Sequence, residues 1–126
     1  MNQSLSAIEA LFQNYSPEIA ALAHDVRNFL LRSIPKCTEI ADVKAKIIGY
    51  GYGQGYKDLV CTLMISKKGI KIGFNRGSEF SDPAGLLTGA GKVHRYTEIT
   101  DKSKLKNPAL KDLIKQGLAA WKTRTS

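Results

Sequence analysis

The sequence predicts an α+β fold, an antiparallel sheet of about four or more strands with N- and C-terminal helices packed on one face. Three observations predict it. Apolar residues recur at three- and four-residue spacing near both ends of the chain, whereas between Val43 and Ile99 they alternate with period two. The alternating segments follow one another through Gly-, Asn- and Lys-containing turns, with no helical pattern between them, which favours consecutive antiparallel strands over a βαβ arrangement. At 126 residues the chain fits a single domain, 1–126, long enough to bury a core without disulfides or a structural metal.

Taken in order, Ser6 and Glu9 match a capping box ahead of an apolar edge of Leu5, Ile8, Phe12 and Tyr15, predicting a short first helix. Ser16-Pro17 restarts the chain, with Ser16 as N-cap and Pro17 at the first helical position, where its missing N–H costs nothing. Ile19, Leu22, Ala23, Val26, Phe29 and Leu30 then form a core-facing stripe that Pro35 ends, and Glu18, Asp25 and Arg32 share one flank of it. Lys44 to Tyr52 reads as the first strand, weakened at its end by Gly49, Gly51 and Gly53. Asp58 to Ser66 reads as a central strand, with Leu59, Cys61, Leu63 and Ile65 on one face and Val60, Thr62 and Met64 on the other. Lys67-Lys68-Gly69 is a hairpin turn into a third strand, where Ile70, Ile72 and Phe74 alternate with Lys71, Gly73 and Asn75. Lys92 to Ile99 supplies the fourth. Asn107-Pro108 caps a last helix that turns Leu110, Leu113, Ile114, Leu118 and Trp121 to the core and Lys111, Lys115 and Lys122 to solvent.

The stretch least repeatable by chance runs from Ser81 to Ile99. Asp82-Pro83 opens a turn, Leu86 and Leu87 form an apolar plug, and Gly89 and Gly91 permit positive φ before the last strand. The spacing D-P-x-G-L-L-x-G-x-G-K-x-x-R-x-x-x-I resembles the signature segment of the YdhG-like family of small bacterial domains, and the resemblance covers most of the chain. It implies a frataxin-like two-layer sandwich. One branch of that family is described as a frataxin-like intracellular iron chaperone, which would use clustered surface carboxylates as hard oxygen ligands. Here the acids of the first third are Glu9, Glu18, Asp25, Glu39 and Asp42, with Arg27, Arg32 and Lys36 among them, too few and too spread for an acidic ridge.

Composition excludes several classes. The N-terminus lacks a basic region followed by an apolar one, and no apolar run is long enough to span a bilayer, so a cytoplasmic protein without a membrane partner is expected. In that reducing compartment Cys37 and Cys61 are expected as two thiols. The net charge of +8 is uneven: residues 1–42 carry −2, residues 43–100 carry +5 and residues 101–126 carry +5. This basic balance fits an anion-binding surface or lysine-rich solvated faces, and with no nucleic-acid motif present a nucleic-acid partner is disfavoured.

No catalytic constellation is legible, so no enzyme and no cofactor are expected. Gly49 to Gly55 lacks G-x-G-x-x-G spacing. Gly89-Ala90-Gly91-Lys92 ends like a phosphate-binding loop, but Leu86 stands where the first glycine belongs, Val93 where Ser or Thr belongs, and a strand follows instead of a helix. Serine elbows and paired zinc-ligand spacings are absent. What remains is a basic, glycine-hinged segment. Thr88 to Gly91 could direct N–H groups into an anion-holding nest beside Lys92, with His94 on the same face as Lys92. Arg95 points to the other face and needs a partner, either Asp82, a helix C-terminal carbonyl or a bound anion. The expected ligand-binding residues are therefore Lys92, Arg95, Gly89, Gly91, Asp82, His94 and, as groove lining, Tyr52. The expected function is that of a small binding domain taking a small anionic ligand or a protein partner near Asp82–Ile99. Two alternatives stand beside it, the iron chaperone and an enzyme whose site assembles only in three dimensions.

Overall fold

The computed structural model describes the backbone of residues 2–89, 91 and 93–125, and the side chains of these from Leu5 onward. Helices α1 (Asn2–Phe12) and α2 (Pro17–Ser33) precede strands β1 (Thr38–Asp42), β2 (Ile47–Gly51), β3 (Leu59–Ser66), β4 (Gly69–Phe74) and β5 (Arg95–Ile99), and helix α3 (Pro108–Thr125) follows them. The strands form one antiparallel sheet in the order β1-β2-β3-β4-β5. This is the expected α+β class, with one strand more than the alternation marked.

The helix ends show which local signals decide. Ser16 caps α2, its hydroxyl accepting the Ile19 N–H at 3.3 Å, and Asn107 caps α3, its side-chain oxygen accepting the Ala109 N–H at 2.9 Å. The capping box at Ser6 does not operate: α1 begins at Asn2, which leaves Ser6 inside the helix. Ile8, Leu11 and Phe12 from α1, Ala23, Val26, Phe29 and Leu30 from α2, and Leu110, Leu113 and Ile114 from α3 are buried against one face of the sheet. That face is tiled by registered rows, Ile48 beside Leu63, Ile72 and Thr97, and Ile65 beside Ile70 and Ile99. Gly117 lets α3 come close to β3, since a Cβ there would stand 3.1 Å from the Val60 carbonyl oxygen.

Two departures from simple alternation shape the sheet. Tyr50 pairs with Cys61 but Gly51 pairs with Leu59, so Val60 is the extra residue of a bulge. The bulge reverses the faces expected for this end of β3. Val60 joins Cys61, Leu63 and Ile65 in the core, while Leu59 turns outward, its side chain lying where a Cβ of Gly49 would be 2.8 Å away. The second departure is β1. Residues 44–46, expected to begin a strand, lie in a turn over residues 43–46 instead, with Asp42 accepting the Ala45 N–H at 3.2 Å and Lys46 at φ 61. The chain before it pairs with β2 although its inward positions are Glu39 and the small Ala41. That carboxylate accepts from Arg27 through Nε at 2.7 Å and Nη2 at 2.8 Å, and from the Tyr50 hydroxyl at 2.9 Å. Satisfied in this way, a charged residue can sit under α2.

Candidate functional site

The Ser81–Ile99 segment ends in β5, and Thr88, earlier in it, lies along the edge of that strand opposite Tyr96. Asp82 holds its first turn, its two carboxylate oxygens accepting the Leu86 and Leu87 N–H groups, each at 2.9 Å. Thr88 then bridges Tyr96, donating at 2.8 Å and accepting at 3.0 Å. Gly89 has φ +134, a conformation side chains rarely adopt. Arg95 lies across this loop and its Nη1 donates to the Gly91 carbonyl and, at 2.7 Å, to the His94 carbonyl. Its partner is thus neither Asp82 nor a helix end. The loop aims carbonyl oxygens at a guanidinium, the opposite polarity to a nest of N–H groups, and the Thr88 N–H is already engaged by Tyr96. Lys92 lies outside the described residues.

His94 and Tyr52 go elsewhere. A Cβ at Gly73 would stand 3.0 Å from His94 Nε2 and 2.8 Å from Thr62 Oγ1, so the imidazole rests on bare β4 backbone on the sheet face away from the helices. Burial, helped by the neighbouring charge of Arg95, holds His94 below its ordinary pKa. Tyr52 follows β2, three strands away in the sheet order, and donates to the Pro35 carbonyl at 2.5 Å. Its ring lies 4.3 Å from that of Trp121, both of them half-buried. The expected residues therefore divide among a loop brace, the open sheet face and the far side of the sheet.

A cleft that the motif search did not single out gathers more charge. It lies between α2, the 3-10 turn Lys102–Lys106 and the first turn of α3, with a volume of about 600 Å³. Arg32 enters from α2, Lys102 and Lys106 from the 3-10 turn and Lys111 from α3, with Asp25 as the acidic member of the wall. Asp101 fixes the turn, accepting the Ser103 N–H at 2.9 Å, and buried Leu105 anchors it to the core. All four cations are exposed, and none of them is in an ion pair among the described residues. Phe29, only 3% exposed, closes the floor. Polar and cationic groups thus converge on a concavity within the size range of small-ligand sites. The signal available in sequence was the concentration of seven basic residues against two acidic ones after Thr100, but which of them would meet Arg32 depends on the packing of α2 against the chain around α3.

Reactive groups are muted. Burial pushes the Cys61 and Tyr50 pKa values up, and does the same less strongly to half-buried Cys37, so these cysteines are thiols and not activated thiolates. Among the described residues no group of three or more His, Cys, Asp or Glu side chains could hold a metal ion, and no helix is long and apolar enough to cross a membrane. In comparisons with known proteins, no family model, no curated protein and no solved structure matches the chain.

Proposed function

We propose that this chain is a non-catalytic, cytosolic binding domain whose ligand is an anion held in the cleft between α2 and α3. The observation that carries the reading is the convergence of Arg32, Lys102, Lys106 and Lys111 on one cleft, where Asp25 is the acidic member of the wall and none of the four cations is in an ion pair among the described residues. Like charges gathered without partners destabilise the folded protein, and an anion bridging them relieves that repulsion. The binding role expected from the sequence is kept, and its site moves from the Asp82–Ile99 loop, whose polar groups brace one another, to the cleft. The YdhG-like resemblance remains our reading of the family, supported by the antiparallel sheet with helices before and after it.

Differential scanning of the wild type with inorganic pyrophosphate tests the proposal. At a hundred times its dissociation constant a ligand adds ~2.7 kcal/mol of stability, which for a domain of this size raises Tm by roughly 8 °C. Arg32→Gln with Lys106→Gln should keep the fold and remove that rise. An unchanged rise in the double variant would place the anion elsewhere, and the absence of any rise with pyrophosphate, sulfate or ATP would refute the anion reading.

A second reading has its own observation. Ile40, Ile47, Leu59, Met64 and Tyr96 lie half-exposed on the sheet face opposite the helices, around the bare backbone of Gly49 and Gly73. A protein partner would use this face, with His94 within it.

A further inference from the structure

The cleft opens onto a longer feature. Lys111, on its wall, is followed along α3 by Lys115 and Lys122, both exposed. At 3.6 residues per turn these two lie only about 40° and 20° round the helix from Lys111, and at 1.5 Å per residue the ridge extends about 16 Å. Solvated helix faces commonly carry acids three or four residues from their lysines. Here the positions four before or after these three are Asn107, Lys115, Lys111, Ala119, Leu118 and Ser126. Three residues before Lys115 and about 60° round the helix from it stands Asp112, the acid of α3, which accepts from Gln116 Nε2 at 2.9 Å and is in no ion pair among the described residues. The three lysines therefore form a basic ridge, flanked by Asp112, that is continuous with the cleft.

We propose that the cleft and this ridge together bind the sugar–phosphate backbone of a nucleic-acid duplex, without reading its bases. The inference rests on the cleft being the anion site and extends it to a polymer. A compact anion satisfies the cleft but leaves Lys115 and Lys122 unmatched, whereas a strand of phosphates matches a line of cations of this length. Single-stranded binders add aromatic platforms on which bases stack. The exposed aromatic Tyr56 instead lines a groove with Ile40 and Gly49 on the opposite side of the sheet, and Phe29 at the cleft floor is too deeply buried to stack. A membrane-surface helix sets large apolar side chains beside its basic ones. Among the described residues the exposed large hydrophobics, Leu5, Val43, Tyr56 and Val93, all lie off α3. The lysines that read in sequence as an ordinary solvated face acquire this role from the cleft at one end of them.

Fluorescence anisotropy of a 20-base-pair duplex titrated with the full chain between 50 and 200 mM salt tests the proposal. Contacts from Arg32, Lys102, Lys106, Lys111, Lys115 and Lys122 give a slope of log K against log salt near about −5, a loss of about 10³-fold across that range. Lys115→Gln with Lys122→Gln should reduce the slope by about 2 and weaken duplex binding, while the pyrophosphate-induced rise in Tm stays at the wild-type value. If the double variant binds duplex with unchanged affinity and slope, or if the wild type binds pyrophosphate but no duplex at 50 mM salt, the polymer inference fails and the cleft survives. If neither probe binds, both fail together. Tighter binding to phosphatidylserine vesicles or to polyglutamate than to duplex would overturn the inference in favour of a membrane or an acidic protein.

Discussion

Replacing Arg27 with Met probes the arrangement that allows β1 to exist. The Arg27 and Glu39 side chains are 17% and 13% exposed, and their bidentate contact at 2.7 and 2.8 Å ties the middle of α2 to the edge strand, with Tyr50 donating from the fully buried side at 2.9 Å. Met preserves much of the volume of the aliphatic stem but leaves the carboxylate with one donor in a largely desolvated position. Removing one partner of a buried pair costs about 3–5 kcal/mol, and the residual exposure here puts the expectation at the lower end, about 3 kcal/mol. Tyr50→Phe removes one hydrogen bond to a charged acceptor and leaves the pair intact, so a smaller loss of about 2 kcal/mol follows. Arg27→Met with Glu39→Met should recover a large part of the single-variant loss, because no charge is then left uncompensated. Urea unfolding followed by far-UV circular dichroism measures all three. Arg27→Met within about 0.5 kcal/mol of wild type, in the range of an unremarkable surface site, would refute the view that inward-facing Glu39 is tolerated because of this pair.

Three further outcomes are expected. Gly51→Ala should destabilise by more than about 2 kcal/mol, because a Cβ there would stand 2.1 Å from the Asp58 carbonyl oxygen, which accepts the Tyr52 N–H at 3.0 Å; thermal unfolding with a loss under about 0.5 kcal/mol would show that the bulge yields easily. His94 is held below its ordinary value of 6.5 by burial and by Arg95, so the unfolded chain binds the proton more readily than the folded one; stability is full above pH 6.5 and falls as pH drops from there towards the lowered folded value. His94→Gln should flatten that part of the Tm-against-pH curve, and superimposable wild-type and variant curves would contradict the assignment. Calorimetric titration with Fe²⁺ should show no saturable site tighter than roughly millimolar, as for loosely organised carboxylates, and a micromolar site abolished by Glu18→Gln with Asp25→Asn would restore the iron-chaperone alternative.

The parts of the fold that were legible in sequence depend on local chemistry. Ser16-Pro17 and Asn107-Pro108 start helices because the caps and the proline act on backbone within three residues of themselves. Ile70, Ile72 and Phe74 alternate cleanly because β4 has core on one side and an open face on the other. β1 was not legible because its inward positions are the small Ala41 and an acid, Glu39, whose partners come from twelve residues upstream and eleven downstream, so a tertiary ion pair stands where the hydrophobic pattern of a strand would. The bulge at Val60 was hidden for a related reason: both faces of β3 are apolar, so a shift of face leaves no mark on the pattern.

The same distinction separates the two candidate sites. Between Asp82 and Arg95 three of the unusual residues serve the chain itself: Asp82 takes two amide donors, Gly89 supplies its φ, and Arg95 donates to carbonyl oxygens of its own loop. A segment can therefore be distinctive because its backbone is demanding, and a glycine-and-lysine turn reads alike whether its polar groups face a ligand or each other. The cleft has the opposite character. Arg32, Lys106 and Lys111 are commonplace in sequence, and the order of the chain separates the first from the other two by the whole sheet. Their significance arises when α2 and the chain leading into α3 come together, because four cations then share one volume with a single carboxylate, Asp25. A charge excess concentrated after Thr100 announced that such a surface was available, and the packing of α2 decided where it would be. Reversing Lys106→Glu separates the two sites directly. It would place a carboxylate among the remaining cations, which should raise thermal stability in the absence of ligand while abolishing the pyrophosphate response; a response retained in that variant would return the search for the anion to the loop at Gly89 and Gly91.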